Sequence, residues 1–229
     1  MRFSFICLLI IGNSFNVLAQ IQGGIGGGYF FQNLPNWEKA VMGRQLEEEL
    51  LNTGFAQTLD LKIANFENYR VEFYLTGNAK QARQDWNDLS FSFNQYGVGL
   101  QTKFYPLSLE ADCDCPTFSR EAGILEKGLF LQITPGVSFF NGKATVMEVI
   151  SEGNDTNFSL GLGVGVDIGL SDQITVSPLA TLNRHFGVTW ENLQEDFIAF
   201  DGTNNVEGDG TNDITQIFVG LRLGLRLSR

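Results

Sequence analysis

The stretch Phe158–Leu170 alternates strictly between apolar residues and small or polar ones. Successive side chains of a β-strand point to opposite faces, so this period of two predicts a strand with one apolar face and one glycine-rich polar face. The segment Ile217–Leu227 near the C-terminus repeats the pattern. Both exceed the usual ~5–6 residues of strands in soluble proteins and suit a tilted path across a bilayer, which needs ~9–11 residues.

Eight further segments alternate in the same way, which predicts ten strands in total. They are residues 21–31, 55–64, 69–77, 86–93, 96–105, 128–140, 144–151 and 174–188. A turn at Ser171–Gln173 pairs apolar positions with apolar positions, for example Ile168 with Val176 and Leu162 with Leu182. Two more tight turns are predicted at Asn94–Gln95, where the apolar positions change from odd to even, and at Asn141–Gly142, a typical hairpin dipeptide. Tight turns that alternate with long connections are typical of outer-membrane barrels. Aromatic residues near the strand ends are expected in the outer girdles at the two membrane interfaces, namely Tyr29, Phe31, Tyr69, Tyr96, Tyr105, Phe186 and Trp190.

The polar face combines glycines with charged side chains. Glycine accounts for 26 of the 229 residues, and the narrow lumen of a small barrel needs small residues wherever a large side chain enters it. The sequence therefore predicts a closed, up-and-down antiparallel transmembrane barrel of ten strands with a lumen filled by side chains. Asp60 and Lys62 lie on the polar face, and the predicted lumen charge cluster comprises Arg70, Glu72, Lys103, Glu148, Asp167, Arg222 and Arg226.

The first nineteen residues have the features of a secretory signal peptide. Arg2 precedes the apolar run Phe3–Gly12, and Val17-Leu18-Ala19 suits cleavage after Ala19. Residues 20–229 would then form one barrel domain. The net charge of −11 lacks the basic footprint of nucleic-acid binding, so no nucleic-acid partner is expected.

The first long connection, Pro35–Gly54, has the pattern of a short helix. Pro35 stands near its start, Trp37 and Val41 fall on one side, and Gly54 is a candidate C-cap. Two interpretations stay open: a lid or partner-binding element over the barrel mouth, and a helix that only packs on the rim.

Two other loops contain candidate binding residues. Cys113 and Cys115 are the only cysteines after residue 19, and they predict either a local disulfide or, less in keeping with only two thiols, a soft-metal site. The acidic loop 189–213 is either solvated or a surface Ca²⁺ or Mg²⁺ site, with the candidate oxygen ligands Asp201, Asn205, Glu207 and Asp209. No other cofactor is expected.

The single histidine, His185, is predicted to point into the lumen near the long-loop end of its strand. A general base there would need a nucleophile and an orienting carboxylate, and the sequence identifies neither. Enzymatic activity is therefore not expected.

The chain resembles the outer-membrane β-barrel domain family of Bacteroidota, which includes PorT-like proteins. The signal peptide, the run Leu160–Ser177 (LGLGVGVDIGLSDQITVS) and the terminal strand Val219–Leu227 carry the resemblance, although the chain ends in Leu-Ser-Arg instead of an aromatic residue. The family implies an outer-membrane location and is commonly eight-stranded. In that alternative, 89–105 is one bulged strand, 144–151 is a loop, and the cysteine loop faces the periplasm.

The expected function is a structural or surface-binding role through the loops 32–54 and 189–213. The resemblance also implies an alternative, a component of a transport or secretion assembly, and a lipid-modifying enzyme or protease ranks third. The expected partners are outer-membrane lipid and lipopolysaccharide, the barrel-assembly machinery, and a further protein of the cell envelope.

Overall fold

The computed structural model describes residues 20–34, 36–37, 51–66, 69–86, 89–106, 128–146, 149–191 and 211–228. Their strands are β1 (Gln20–Asn33), β2 (Thr53–Phe66), β3 (Val71–Trp86), β4 (Leu89–Phe104), β5 (Leu129–Val146), β6 (Val149–Val166), β7 (Ile168–Gly169), β8 (Ile174–Thr189) and β9 (Thr211–Ser228). No helix in this part of the chain is long and apolar enough to cross a membrane.

The sheet closes on itself. Neighbouring strands pair antiparallel, β6 pairs with β8, and β1 pairs with β9 from Gln20↔Ser228 to Asn33↔Thr215. Eight long strands thus form the wall, and β7 is a two-residue addition beside β8. The prediction of a closed antiparallel barrel is confirmed, whereas the count of ten strands is wrong and the eight-stranded alternative is correct.

The ten-strand prediction failed at two turns that do not exist. Asn94 lies inside β4 and Asn141 inside β5, where the two residues pair with each other across the sheet. β4 is unbulged, since its register with β3 runs without a shift from Val71↔Phe104 to Trp86↔Leu89. The predicted strand 144–151 and the alternative loop are both wrong, because residues 144–146 end β5 and residues 149–151 begin β6, with Val146 paired to Val149.

Partway along the continuous strand β4, the apolar side chains change from the outer face of the wall to its inner face. In the half of β4 that ends at Phe104, called the lower half, Tyr96 and Val98 are exposed on the outer face. In the half that begins at Leu89, called the upper half, Phe91 and Phe93 are completely buried inside. Ser92 takes the outer position there. The period of two continues without interruption, so the apolar side chains move from the outer face to the inner one where the wall rises above an apolar belt.

The apolar belt surrounds the lower wall. Every long strand presents exposed apolar side chains there, among them Ile25, Leu59, Leu75, Val98, Leu131, Leu162, Leu182 and Leu221. Soluble monomers rarely expose contiguous apolar patches larger than a few hundred Å², whereas all eight long strands contribute exposed apolar side chains to this belt.

The two ends of the barrel differ. One end, called the base, contains Gln20, Ser228, the turn between Phe66 and Val71, and the predicted turn that follows Leu170. In that last turn the Leu170 amide donates a hydrogen bond to the Ile174 carbonyl at 2.9 Å. The predicted pairs Ile168↔Val176 and Leu162↔Leu182 are confirmed. The opposite end is called the mouth.

Candidate functional site: the barrel lumen

The lumen near the base contains a network of paired charges, the base cluster. Arg222 of β9 donates two hydrogen bonds to Asp60 of β2, Nε to Oδ2 at 2.6 Å and Nη2 to Oδ1 at 2.5 Å. Both side chains are buried. Lys62 forms an ion pair with Glu72, which also accepts a hydrogen bond from the Tyr74 hydroxyl at 2.6 Å. The bidentate, doubly buried pair of Arg222 and Asp60 holds two strands of the wall together that are distant in the sequence.

A second part of the base cluster surrounds Asp167, the residue between β6 and β7. The Tyr105 hydroxyl lies 2.7 Å from Asp167 Oδ2 and 3.1 Å from Glu72 Oε2, and Ser177 donates to Asp167 Oδ1. Lys103 Nζ lies 3.8 Å from the same carboxylate and 4.1 Å from the Phe130 ring centre, which adds a cation–π contact. The cluster balances three carboxylates, Asp60, Glu72 and Asp167, with three cations, Lys62, Lys103 and Arg222.

The structure brings together four of the seven residues predicted for the lumen charge cluster. They are Glu72, Lys103, Asp167 and Arg222. Arg70 and Arg226 are half-buried at the base end, Arg70 in the turn before β3 and Arg226 in β9. Glu148 lies outside the described residues, and the residues near it on either side, Val146 and Val149, pair at the mouth.

Three hydroxyl groups of the base cluster, those of Tyr74, Tyr105 and Ser177, are not among the residues of the predicted charge cluster. Tyr105 was expected among the outer aromatic residues at the strand ends, but it is 3% exposed and points inwards. Ser177 was on the predicted polar face without an assigned partner. The alternation in the sequence predicts that Ser177 points into the lumen. Its hydrogen bond to Asp167 could not be predicted, because it depends on how the strands pair.

A glycine makes room for the largest of these side chains. A Cβ atom added to Gly24 of β1 would lie 2.6 Å from the guanidinium of Arg222. Glycine at this position therefore allows the close approach of the arginine, as the narrow-lumen argument expects.

A layer of amides, the amide belt, crosses the lumen above the base cluster. Its centre is the fully buried Gln216, which donates from Nε2 to Gln32 Oε1 at 2.8 Å and to Gln95 Oε1 at 2.9 Å. Its Oε1 accepts a hydrogen bond from Lys80 and lies 3.1 Å from His185 Nε2. One side chain of β9 thus contacts four other strands of the barrel.

His185 points into the lumen and is 2% exposed. Its side-chain contacts among the described residues include the amides of Gln216 and Gln95 and the ring of Phe140, whose centre is 5.1 Å away. None of these groups is a carboxylate that would orient a general base.

Replacing Gln216 with Leu should lower the free energy of unfolding by about 1–3 kcal/mol, because buried partners lose their hydrogen bonds. The measurement is the urea midpoint of the barrel refolded into lipid vesicles. Gln81→Leu removes an exposed amide from β3 and serves as the matched control. Equal midpoints for the two variants would show that the amide belt contributes nothing to stability.

The lumen at the mouth is filled by an aromatic cluster, called the aromatic plug. The Trp37 ring lies edge-on to Trp190 with centres 5.3 Å apart, and Phe93 stacks obliquely on Phe140 at 5.4 Å. Its buried members are Phe30, Leu34, Trp37, Leu51, Ala56, Ala82, Phe91, Phe93, Phe140, Ala144, Val188, Trp190, Ile214 and Phe218.

Trp190 was predicted in the outer aromatic girdle, and this is wrong because the residue is 3% exposed inside the mouth. Its indole lies on Gly142 and Gly153, which pair across β5 and β6, and an added Cβ on either would come within 2.5 Å of the ring. Its Nε1 donates to Ser151 Oγ at 3.3 Å.

The residues at the ends of the two long loops, 32–54 and 189–213, form hydrogen bonds at the mouth. Asn36 donates from its side chain to the Thr211 carbonyl at 2.6 Å and from its backbone to Asn212 Oδ1 at 3.1 Å. Leu51 donates from its backbone to Gln84 Oε1 at 2.6 Å. The ends of the two predicted interaction loops are thereby held against each other and against the wall.

The predicted helix 35–54 is in part wrong. Asn36 and Trp37 are helical, and residues 38–50 lie outside the described residues. Gly54 is not a helix C-cap, because it belongs to β2 and pairs with Phe30.

Other predicted sites fall outside the described residues. These are the signal peptide 1–19, the cysteine pair Cys113 and Cys115, and the acidic ligands Asp201, Asn205, Glu207 and Asp209. The strand ends on either side of the cysteine segment, Phe104 and Leu129, lie at the base end, and the prediction that this segment faces the periplasm stays a prediction. The described part of the chain contains no group of three or more potential metal ligands.

No model of a known protein family matches the sequence, and no curated protein matches it. Solved structures do match. Neisserial surface protein A (NspA) is 9% identical with a TM-score of 0.51, over 90% of this chain and 96% of its own. A major outer membrane protein from Thermus thermophilus is 12% identical with a TM-score of 0.51, over 91% and 99% of the two chains.

Identities this low establish the fold alone. The protein therefore has the fold of small outer-membrane β-barrels. The more specific resemblance to the Bacteroidota family stays a prediction.

Proposed function

We propose that this chain is an outer-membrane barrel with a closed lumen that presents a binding surface at its mouth. The observation that carries the proposal is the filling of the lumen by three successive layers of side chains: the base cluster, the amide belt and the aromatic plug. An apolar belt surrounds the same wall. A wall that is apolar outside and filled with paired polar groups inside suits a bilayer better than water.

The proposed location is the outer membrane, reached after signal peptide cleavage behind Ala19. The base, where Gln20 and Ser228 pair, would face the periplasm. Membrane lipid and lipopolysaccharide would then surround the belt, and the barrel-assembly machinery would insert the chain.

The upper wall supports the binding role. Above the belt, β4 and β5 present Ser92, Asn94 and Lys143 outwards while aromatic side chains stabilise them from inside. This rigid polar surface, together with the two tethered loops, suits a protein partner in the envelope or outside the cell. The hydrogen-bond partners of His185 are side-chain amides and not the carboxylate that would orient a general base, which favours the binding role over the enzyme alternative.

A planar-bilayer experiment tests the closed lumen. The purified barrel should show no stable single-channel conductance, because buried ion pairs and the aromatic plug leave no continuous water path. Sustained conductance steps from the wild-type barrel would contradict the proposal and favour a pore.

Fractionation tests the location and the partners. The protein should stay in the outer-membrane fraction, migrate differently on gels before and after heating, and bind a partner lost when loops 38–50 and 192–210 are shortened. Recovery in the soluble periplasmic fraction would contradict the membrane assignment, and stoichiometric co-purification with secretion components would favour the transport assembly.

A further inference from the structure

The upper part of β6 forms an open sheet edge, called the free edge. β6 pairs with β5 along its whole length. Its pairs with β8 begin only at Ser159↔His185 and continue from there towards the base. Residues 149–158 therefore have no strand on their second side in the part of the chain that the structure describes.

β8 separates from β6 at a bulge. Its register with β9 shifts between His185 and Val188, and Gly187 adopts a φ of 63°, a left-handed conformation that favours glycine. Beyond the bulge, Val188 and Trp190 are buried inside the mouth. The chain thus turns inwards at this point instead of following β6 upwards.

The direction of the backbone groups shows which of them point to the free edge. Directly after β6, the Asp167 amide donates to the Gly128 carbonyl at 2.8 Å, on the side of β5. Backbone groups of successive strand residues point to alternate sides, and the register between β5 and β6 has no shift, so odd-numbered residues bond to β5. The amides and carbonyls of Ile150, Glu152 and Asn154 therefore point to the free edge.

A side chain protects the lower end of this edge. The Thr156 amide donates to Oδ1 of Asp155 at 2.7 Å, and Oδ2 of the same carboxylate accepts from the Thr189 amide at 2.7 Å. An inward-pointing charge is one of the ways in which proteins protect sheet edges. Above Thr156 the free edge contains no proline, lysine or bulge.

The other edge of the raised wall, in β3, has neighbours. Phe55 of β2 pairs with Gln81, and the Leu51 amide donates to Gln84 Oε1 at 2.6 Å. Of the two edges, the one in β6 is thus the better template for an additional strand.

The chemistry of the free edge selects a polypeptide as its occupant. A row of alternating amides and carbonyls is complemented by another extended backbone, whereas an acyl chain offers no hydrogen bonds. The edge also lies above the apolar belt, where Glu152 and Asn154 face outwards and are exposed. The Glu152 side chain is 59% exposed and favours a basic residue directly opposite. On the inner face, Gly153 lies under the Trp190 ring and favours small residues.

We propose that residues 150–154 of β6 bind an extended segment of another protein, which adds to the wall as an antiparallel strand. The inference rests on the binding role proposed for the mouth and deepens it, because it specifies how the partner attaches. The added strand has an apolar residue opposite Ile150, a basic residue opposite Glu152 and small residues on its inner face. Antiparallel pairing continues the order of the sheet and is the more stable arrangement.

The probe is the acetylated and amidated peptide Thr-Ala-Lys-Ala-Val. Antiparallel to residues 150–154, it places its lysine opposite Glu152 and its valine opposite Ile150. N-methyl groups on its two alanines block its other edge and prevent self-association. The control peptide has the N-methyl groups on lysine and valine instead, which removes donors that face β6. Amide shifts and hydrogen exchange of the refolded barrel in detergent micelles measure binding of each peptide.

The variant Asn154→Pro removes one donor from the free edge without breaking a bond to β5. Asn154→Ala is its matched control, because it loses the same side-chain bond to Asn141 but keeps the backbone donor. The first peptide should bind the wild type and Asn154→Ala alike and slow exchange of the Ile150, Glu152 and Asn154 amides. Asn154→Pro should weaken binding about tenfold through the lost hydrogen bond and the obstructing ring. If this variant does not fold, the two peptides on the wild type make the same comparison.

No binding, equal binding of the two peptides, or equal affinity of the proline and alanine variants would overturn the proposal. Slow exchange of the three edge amides without peptide would overturn it in favour of a segment of this same chain. Dimers that Asn154→Pro abolishes would overturn it in favour of a second copy. A barrel with heat-modifiable migration and a loop-dependent partner that does not bind the peptide overturns only the edge site and leaves the proposed function intact.

Discussion

Replacing Arg222 with Met should lower the free energy of unfolding by about 3–5 kcal/mol, the largest effect expected of any single change in the base cluster. The variant leaves Asp60 charged and without its guanidinium partner at a position where its side chain is only 3% exposed. Urea titration of the barrel refolded into lipid vesicles measures the loss.

The control for this prediction is an exposed ion pair between β8 and β9. Arg184 and Asp213 lie 2.9 Å apart with side chains 55% and 50% exposed, so Arg184→Met should cost less than about 1 kcal/mol. The double variant Asp60→Leu with Arg222→Leu should recover much of the lost stability, since no unpaired charge remains. If Arg222→Met unfolds at the wild-type urea concentration, the buried pair does not stabilise the barrel.

Replacing Trp190 with Ala should cost about 3–5 kcal/mol through the cavity left in the aromatic plug. The indole packs on Gly142, Gly153 and the Trp37 ring, and β-sheet glycines cannot move to fill the space that it leaves. The urea midpoint and the near-ultraviolet circular dichroism of the remaining tryptophans should both decrease.

Trp190→Phe should lie between the wild type and the alanine variant, because it keeps most of the ring contact but loses the hydrogen bond to Ser151. Phe66→Ala is the control, an aromatic residue 54% exposed at the base. A Trp190→Ala barrel as stable as this control would show that the plug is not a packed core.

Much of the lower barrel is predictable from sequence. In the belt, local alternation alone assigns Leu162 and Leu182 to the outer face and Asp60 and Arg222 to the lumen, and the turn after Leu170 sets the correct register. The pairing of Asp60 with Arg222 is different, because β2 and β9 are far apart in the chain and meet only after β1 closes the barrel.

The upper barrel shows where the same reasoning fails. Phe91 and Phe93 continue a regular alternation, yet an apolar position there points inwards, because the outside of the wall is no longer part of the belt. Interpreting that switch as a hairpin produced the false turn at Asn94, and the Asn-Gly dipeptide produced the false turn at Asn141. The inward Trp190 was missed for a related reason, since the glycine platform beneath it comes from two other strands.

The sequence by itself determined that the chain forms long two-faced strands and which residues share a face, because the period of two is a local property of the backbone. The tertiary structure decided how many strands there are, which side of the upper wall is inside, and which lumen charges become partners. These depend on the surroundings of each face and on contacts between strands distant in the chain, and alternation contains no information about either.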